Sequence, residues 1–231
     1  SQINPITPDT SDTLTFAGAP LSINGLVNQY GVDYIEVNSE QPMAVNFTGT
    51  TQVKLLDTDA YSGKYLWWSN REDESNTRLT RVLDLSDART AELSFQTWYH
   101  IEDEWDYAYM AVGYTADGTL PEDLSSSQIQ WRLIDDPGLH CSRSNPNGNN
   151  YGCGLTGKSN GWVERAIDLS AYAGKTIAVR FEYITDAAVN QPGLALDDIR
   201  LTVNGVEQFT DDVESEDSAW ISEGFVRHAN V

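Results

Sequence analysis

Cysteine, histidine, basic side chains and long apolar runs are all scarce in this sequence, and each shortage argues against a class of function. There are two Cys and three His, and 14 Lys and Arg stand against 35 Asp and Glu, a formal net charge of −21 over 231 residues. Gripping a phosphate backbone needs clustered Lys and Arg, so nucleic acid is not an expected partner. Anionic lipid surfaces are disfavoured for the same reason. The acidic balance favours solubility, divalent cations or basic partners instead. No apolar run reaches the roughly eighteen residues of a membrane span, so no membrane insertion is expected. No basic segment followed by an apolar one opens the chain, so a signal peptide is expected to be absent or already removed. The three His (His100, His140 and His228) make no HExxH pair, which argues against a zincin centre.

The two cysteines, Cys141 and Cys153, flank a stretch made almost wholly of turn formers, SRSNPNGNNYG. Two thiols closing such a loop read as a disulfide worth about 3 kcal/mol, and with it an oxidising, extracellular setting. Free thiols in a reducing compartment are the alternative. A zinc site is disfavoured, because His140 is the only further ligand type beside them.

Helical periodicity is also missing, because no window of about twelve residues keeps the i, i+3, i+4, i+7 apolar spacing uninterrupted. Strand patterns recur instead. They are expected at 32–37, 43–47, 52–56, 64–68, 78–85, 91–100, 106–114, 129–134, 162–169, 177–184 and 193–203. Leu93, Phe95, Thr97 and Tyr99 alternate with Glu92, Ser94, Gln96 and Trp98. Ile177, Val179, Phe181 and Tyr183 alternate with Ala178, Arg180 and Glu182. That period marks sheets with one buried face. Turn-rich joints between short strands indicate an all-β antiparallel sandwich or barrel with little or no helix. Seven Trp and eleven Tyr supply core material. Residues 1–13 read as an extended arm or linker, 14–205 as the sandwich, and 206–231 as an acidic segment ending in a strand. That last segment is either the final strand of the domain or the start of a second module.

Two catalytic patterns occur and are rejected. Gly152–Ser159 matches the phosphate-binding G-x-x-x-x-G-K-S, and Gly157–Gly161 matches the nucleophile elbow G-x-S-x-G. Both motifs work only where a helix begins immediately afterwards. Here Asn160-Gly161-Trp162 leads into a strand-like run. Glu102, Asp103, Glu104 and Asp106 crowd a strand-to-strand turn, where like charges mean a solvated bend or a cation site before they mean an acid/base pair.

Calcium takes six to eight oxygens from loop carboxylates and carbonyls. Two segments have that make-up: the turn holding Asp57 and Asp59, and the pair Asp197-Asp198 within Leu196–Ile199. Alternation sends one member of the pair to the buried side, where a carboxylate needs a cation or several donors. The competing reading is an Asp capping a turn by hydrogen bonds. Trp67, Trp68 and Trp105 are the aromatics considered for a ligand such as a glycan, with core packing as the plainer use of such rings.

Several segments in order carry a family resemblance: Tyr61–Ser69 (YSGKYLWWS), Leu79-Thr80-Arg81, Trp98–Glu102, Trp105–Tyr109 (WDYAY), Asn145–Gly152, Thr156–Trp162, Val179–Tyr183, Thr185-Asp186 and Leu196–Ile199 (LDDI). Over residues 25–205 the chain resembles the non-catalytic C-terminal, MAM-like jelly-roll region of immune inhibitor A-like secreted metallopeptidases. The resemblance extends into the tail, at Asp211–Glu214 and Glu223–Arg227. It implies a β-sandwich, export and bound calcium, and no peptidase activity, since HExxH is missing. The Cys141/Cys153 pair departs from the family pattern. The expected function is therefore a non-catalytic accessory module partnered with the rest of a larger secreted precursor. The alternatives are a self-assembling filament or surface-layer subunit that exchanges strands with its own copies, and a carbohydrate-binding module.

Overall fold

The computed structural model describes residues 12–230 apart from 26, 28–31, 51–53 and 136–137. It divides into two compact units, residues 1–51 and 52–231. In the first, β1 (Asp12–Phe16) pairs in parallel with β2 (Ile35–Ser39), from Asp12 opposite Ile35 to Phe16 opposite Ser39. The strand expected at 32–37 thus forms only from Ile35 onward. The one expected at 43–47 is irregular, with Val45 and Phe47 71% and 91% exposed. Among the described residues this β-rich run pairs with no strand, and local preference alone does not hold one. Most of the expected 1–13 arm lies outside the described residues, as does part of the strand expected at 52–56.

The second unit is built from β3 (Leu66–Trp68), β4 (Asn76–Asp84), β5 (Ala91–His100), β6 (Tyr107–Tyr114), β7 (Gln130–Leu133), β8 (Val163–Asp168), β9 (Thr176–Ile184), β10 (Gly193–Val203), β11 (Val206–Asp211), β12 (Ile221–Glu223) and β13 (Val226–His228). One sheet runs β13-β3-β10-β5-β8 with β11 also on β10, and the other runs β12-β4-β9-β6-β7. Every pairing in these two sheets is antiparallel. A 3-10 turn at Ser170–Tyr172 is the one helical piece among the described residues. The fold is an antiparallel β-sandwich.

The alternating residues turn inward as their period requires. Leu93 and Phe95 of β5, Ile177, Val179, Phe181 and Tyr183 of β9, and Leu194, Leu196, Ile199 and Leu201 of β10 meet in one core between the sheets. The outer face of the first sheet is covered as well. Leu56, Leu66, Trp68, Trp98 and Ala195 form a second cluster there, with Ala60 and Trp162 packed against it.

The tail contributes β11, β12 and β13 to these two sheets. It enters through Asn204-Gly205, whose φ values of 52° and 78° suit a two-residue hairpin of type I′. At its end Asn230 is 5% exposed. Its Oδ1 accepts from Leu55 and Leu56 N–H, and its Nδ2 donates to the carbonyls of Leu56 and Thr58. The end of the chain thereby fastens the segment that covers the outer cluster.

Candidate functional site

β10 is irregular where it carries Asp197 and Asp198. Its N-terminal half pairs with β3 at Ala195 and Leu196, and its C-terminal half pairs with β11 from Ile199 onward. The register against β5 shifts between Asp197 and Arg200, and Asp198 has φ 44°. This β-bulge adds one residue. It returns Ile199 and Leu201 to the core face already used by Leu194 and Leu196, so neither Asp faces the core between the sheets.

Asp197, fully buried, lies beneath the covering segment and accepts from three backbone N–H groups: Tyr61 and Ser62 at Oδ2 (2.9 and 3.1 Å) and Asp198 at Oδ1 (2.8 Å). Asp198 accepts from Ser62 Oγ at 2.7 Å. Asp59 pairs with Lys54, and Asp57 Oδ2 lies 3.8 Å from His100 Nδ1. Each of the four carboxylates considered for calcium therefore has a partner of its own within the protein, and the Asp197-Asp198 pair holds a turn.

Burial pushes the Asp197 carboxyl up to about 6; the N–H bonds from Ser62, Asp198 and Tyr61 oppose this, and the Asp198 charge adds to it. An unfolded Asp titrates near 3.9. The folded state therefore holds this proton more tightly. The resulting stability is complete below about pH 4 and is lost as pH rises through 6. Asp197→Asn removes that dependence. Between pH 7 and pH 4.5, the stability difference between wild type and variant in urea titrations is expected to change by about 2 kcal/mol in favour of the wild type.

Three other carboxylates do come together. Glu102 lies in the turn after β5, Asp106 immediately precedes β6, and Asp186 follows β9. The start of β6 pairs with the end of β9, Tyr107 opposite Ile184, which brings the two Asp to the same end of the sandwich. One oxygen from each of the three lies within 4.8 Å of the others. Asp106 is fully buried. Its Oδ1 accepts from Asp186 N–H at 2.8 Å, extending the β6–β9 contact by a side-chain bond. Among the described residues its Oδ2 makes no hydrogen bond of good geometry, nor does Tyr183 Oη, which lies near the same carboxyl.

Burial raises the Asp106 carboxyl to about 7, and the charges of Asp186, Glu102 and Asp73 add to it against the Asp186 N–H bond. Glu102 is also raised, by burial and then by Asp186. Thr185 braces the neighbourhood, accepting from Ser75 N–H and donating to Glu72 O. The crowding of Glu102 and Asp106 is visible in the sequence. Asp186 lies eighty positions from Asp106, and its only signal is the Thr185-Asp186 pair within the family resemblance.

Cys141 and Cys153 form a disulfide. Inside the loop, Asn150 Nδ2 donates to the carbonyls of Ser142 and Ser144, and Tyr109 Oη donates to Asn149 O. The glycine-rich run that follows lies against strand ends: Leu155 exchanges backbone hydrogen bonds with Ala108, and Ser159 N–H donates to Tyr99 O. β8 follows where the phosphate-binding and nucleophile-elbow motifs each need a helix. Replacing both cysteines by Ser is expected to cost about 3 kcal/mol in urea denaturation, the loop-closure entropy of the unfolded chain.

Trp67 and Trp68 point to opposite sides of β3, as alternation requires. Both are nonetheless buried, at 7% and 6% exposure, because the outer face is roofed by the segment around Leu56 and Ala60. Neither presents a ring face for a glycan. Trp105, in the acidic turn, is 43% exposed. No helix among the described residues is long and apolar enough to cross a membrane.

Residues 27–230 match the family described as Immune inhibitor A-like, MAM domain. The chain belongs to this family. Over 171 residues, 72% of the chain, it is 31% identical to the pre-pro-metalloprotease PrtV of Vibrio cholerae serotype O1. Over 198 residues, 79% of the chain, it is 31% identical to immune inhibitor A of Bacillus thuringiensis subsp. alesti. A shorter match, 29% over 110 residues, joins it to bacillopeptidase F of Bacillus subtilis. This immune inhibitor A-like MAM domain spans 16% of PrtV and 26% of immune inhibitor A.

Proposed function

We propose that this chain is a non-catalytic, extracellular accessory module of a larger secreted metallopeptidase. The observation that carries the reading is a family match covering residues 27–230 in a chain that spans only 16–26% of its metalloprotease and immune inhibitor relatives. The disulfide supports an oxidising, extracytoplasmic setting. The placement of the histidines supports a non-catalytic role. His100 faces Asp57, His140 faces Glu104, and the His228 ring lies against Trp68. Among the described residues none of the three joins a cluster of metal-ligating side chains.

The gene around this chain is expected to encode an HExxH peptidase region in the same reading frame. Deleting the module from that precursor should leave cleavage of a short peptide unchanged, while lowering the yield or lifetime of the exported enzyme. A reading frame confined to this chain alone, or peptide hydrolysis by the purified module, would overturn the proposal.

A further inference from the structure

We propose that Glu102, Asp106 and Asp186 bind a calcium ion at the end of the sandwich where β5 crosses to β6. The acidic cluster alone would not support this, since exposed carboxylates crowd many turns without a ligand. What singles it out is Asp106, fully buried in the cluster, whose Oδ2 makes no hydrogen bond of good geometry among the described residues, although the equally unbonded Tyr183 hydroxyl lies near its carboxyl. Buried polar atoms in folded proteins are nearly always satisfied, and an orphan among like charges points to a missing cation or a bound proton.

Among the described residues, no Lys or Arg forms an ion pair with any of the three. The donors are all carboxylate oxygens, the ligand type of hard cations rather than of zinc or copper. Two oxygens on opposite sides of a calcium ion lie about 4.6–5.2 Å apart, twice its usual bond length. Three oxygens within 4.8 Å of one another can therefore surround the ion as they stand. Backbone carbonyls and water complete the shell, since calcium tolerates irregular coordination where magnesium demands a near-ideal octahedron. The ion ties the turn before β6 to the segment after β9, joining elements far apart in the chain. Whether the module is attached to a peptidase has no bearing on this site.

The test is calcium titration of the purified chain after chelator treatment, at pH 7.5, by calorimetry and thermal unfolding, with magnesium in parallel. Wild type is expected to take up one calcium ion with a dissociation constant of about 10⁻⁴ M, in the range of extracellular modules. Its Tm should rise with calcium concentration and much less with magnesium. Asp186→Asn and Glu102→Gln should each weaken binding at least tenfold. Asp106→Asn should abolish the calcium-dependent rise in Tm while leaving the metal-free Tm equal or higher, because it removes an unpaired buried charge. That pairing of signs distinguishes a ligand from a packing residue. Asp59→Asn should leave binding unchanged.

No heat and no Tm shift at 10 mM calcium would overturn the proposal. So would calcium binding that survives both Asp106→Asn and Asp186→Asn, and so would its loss in Asp59→Asn. If Asp106→Asn fails to fold, Asp186→Asn and Glu102→Gln decide the matter by the same readout.

Discussion

Phe181→Ala is expected to cost about 4 kcal/mol, within the usual range for deleting a buried ring. Phe181 is 2% exposed on the inner face of β9, its ring edge-on to Phe95 at 4.9 Å and tilted against Trp220 at 5.8 Å. It also borders an apolar cavity of about 30 Å³ shared with Met110, Leu155, Leu194 and Leu196. Truncation enlarges a void that already exists between two paired sheets, and the ladders on either side of β9 limit any collapse into it. Urea titration should show a lower midpoint with an unchanged slope. Val82→Ala, on the exposed face of β4, provides the contrast and should stay within about 0.5 kcal/mol. A loss below about 1.5 kcal/mol for Phe181→Ala would mean that β9 does not face the core as described.

Asn230→Ala is expected to be nearly as damaging, at about 4 kcal/mol, although it removes one small polar side chain close to the chain end. Four hydrogen bonds to Leu55, Leu56 and Thr58 depend on it, each worth about 1 kcal/mol net. The N–H and carbonyl of Leu56, a residue 1% exposed, would be left without this partner. Loosening the segment admits water to Trp68 and Trp98, so the tryptophan emission should shift to the red, and cleavage near residues 54–60 should accelerate in limited proteolysis. Asn230→Asp separates acceptor from donor. It keeps the bonds from the Leu55 and Leu56 N–H groups but sets a carboxylate oxygen against two carbonyls. It should therefore be as unstable as Asn230→Ala near pH 7 and recover in acid, where the protonated carboxyl donates again.

Much of the fold is legible in the sequence because burial on one face writes itself into alternate residues. The bounds expected for β5 and β10, 91–100 and 193–203, are those observed. The runs at 78–85, 106–114 and 177–184 differ from β4, β6 and β9 by at most two positions at either end. Met43–Phe47 carries the same local signal and forms no strand, since local preference cannot supply a neighbour. The short strands β12 and β13 are exposed or half-exposed along their length, so no period marks them, and pairing with β4 and β3 alone defines them.

By itself the sequence determined the all-β class, the closure of the Cys141–Cys153 loop, the failure of two catalytic patterns for want of a helix, and membership of the immune inhibitor A-like MAM family. These rest on composition, short-range spacing and ordered motifs, all of which survive in one dimension. The tertiary structure decided where the carboxylates go. A bulge of a single residue gave Ile199 rather than Asp198 the core position and left Asp197 beneath a covering segment, while the pairing of β6 with β9 brought Asp186 to Asp106 from eighty positions away. Electrostatic partners are set by distance in space, and strand register, which depends on every ladder in the sheet at once, fixes that distance.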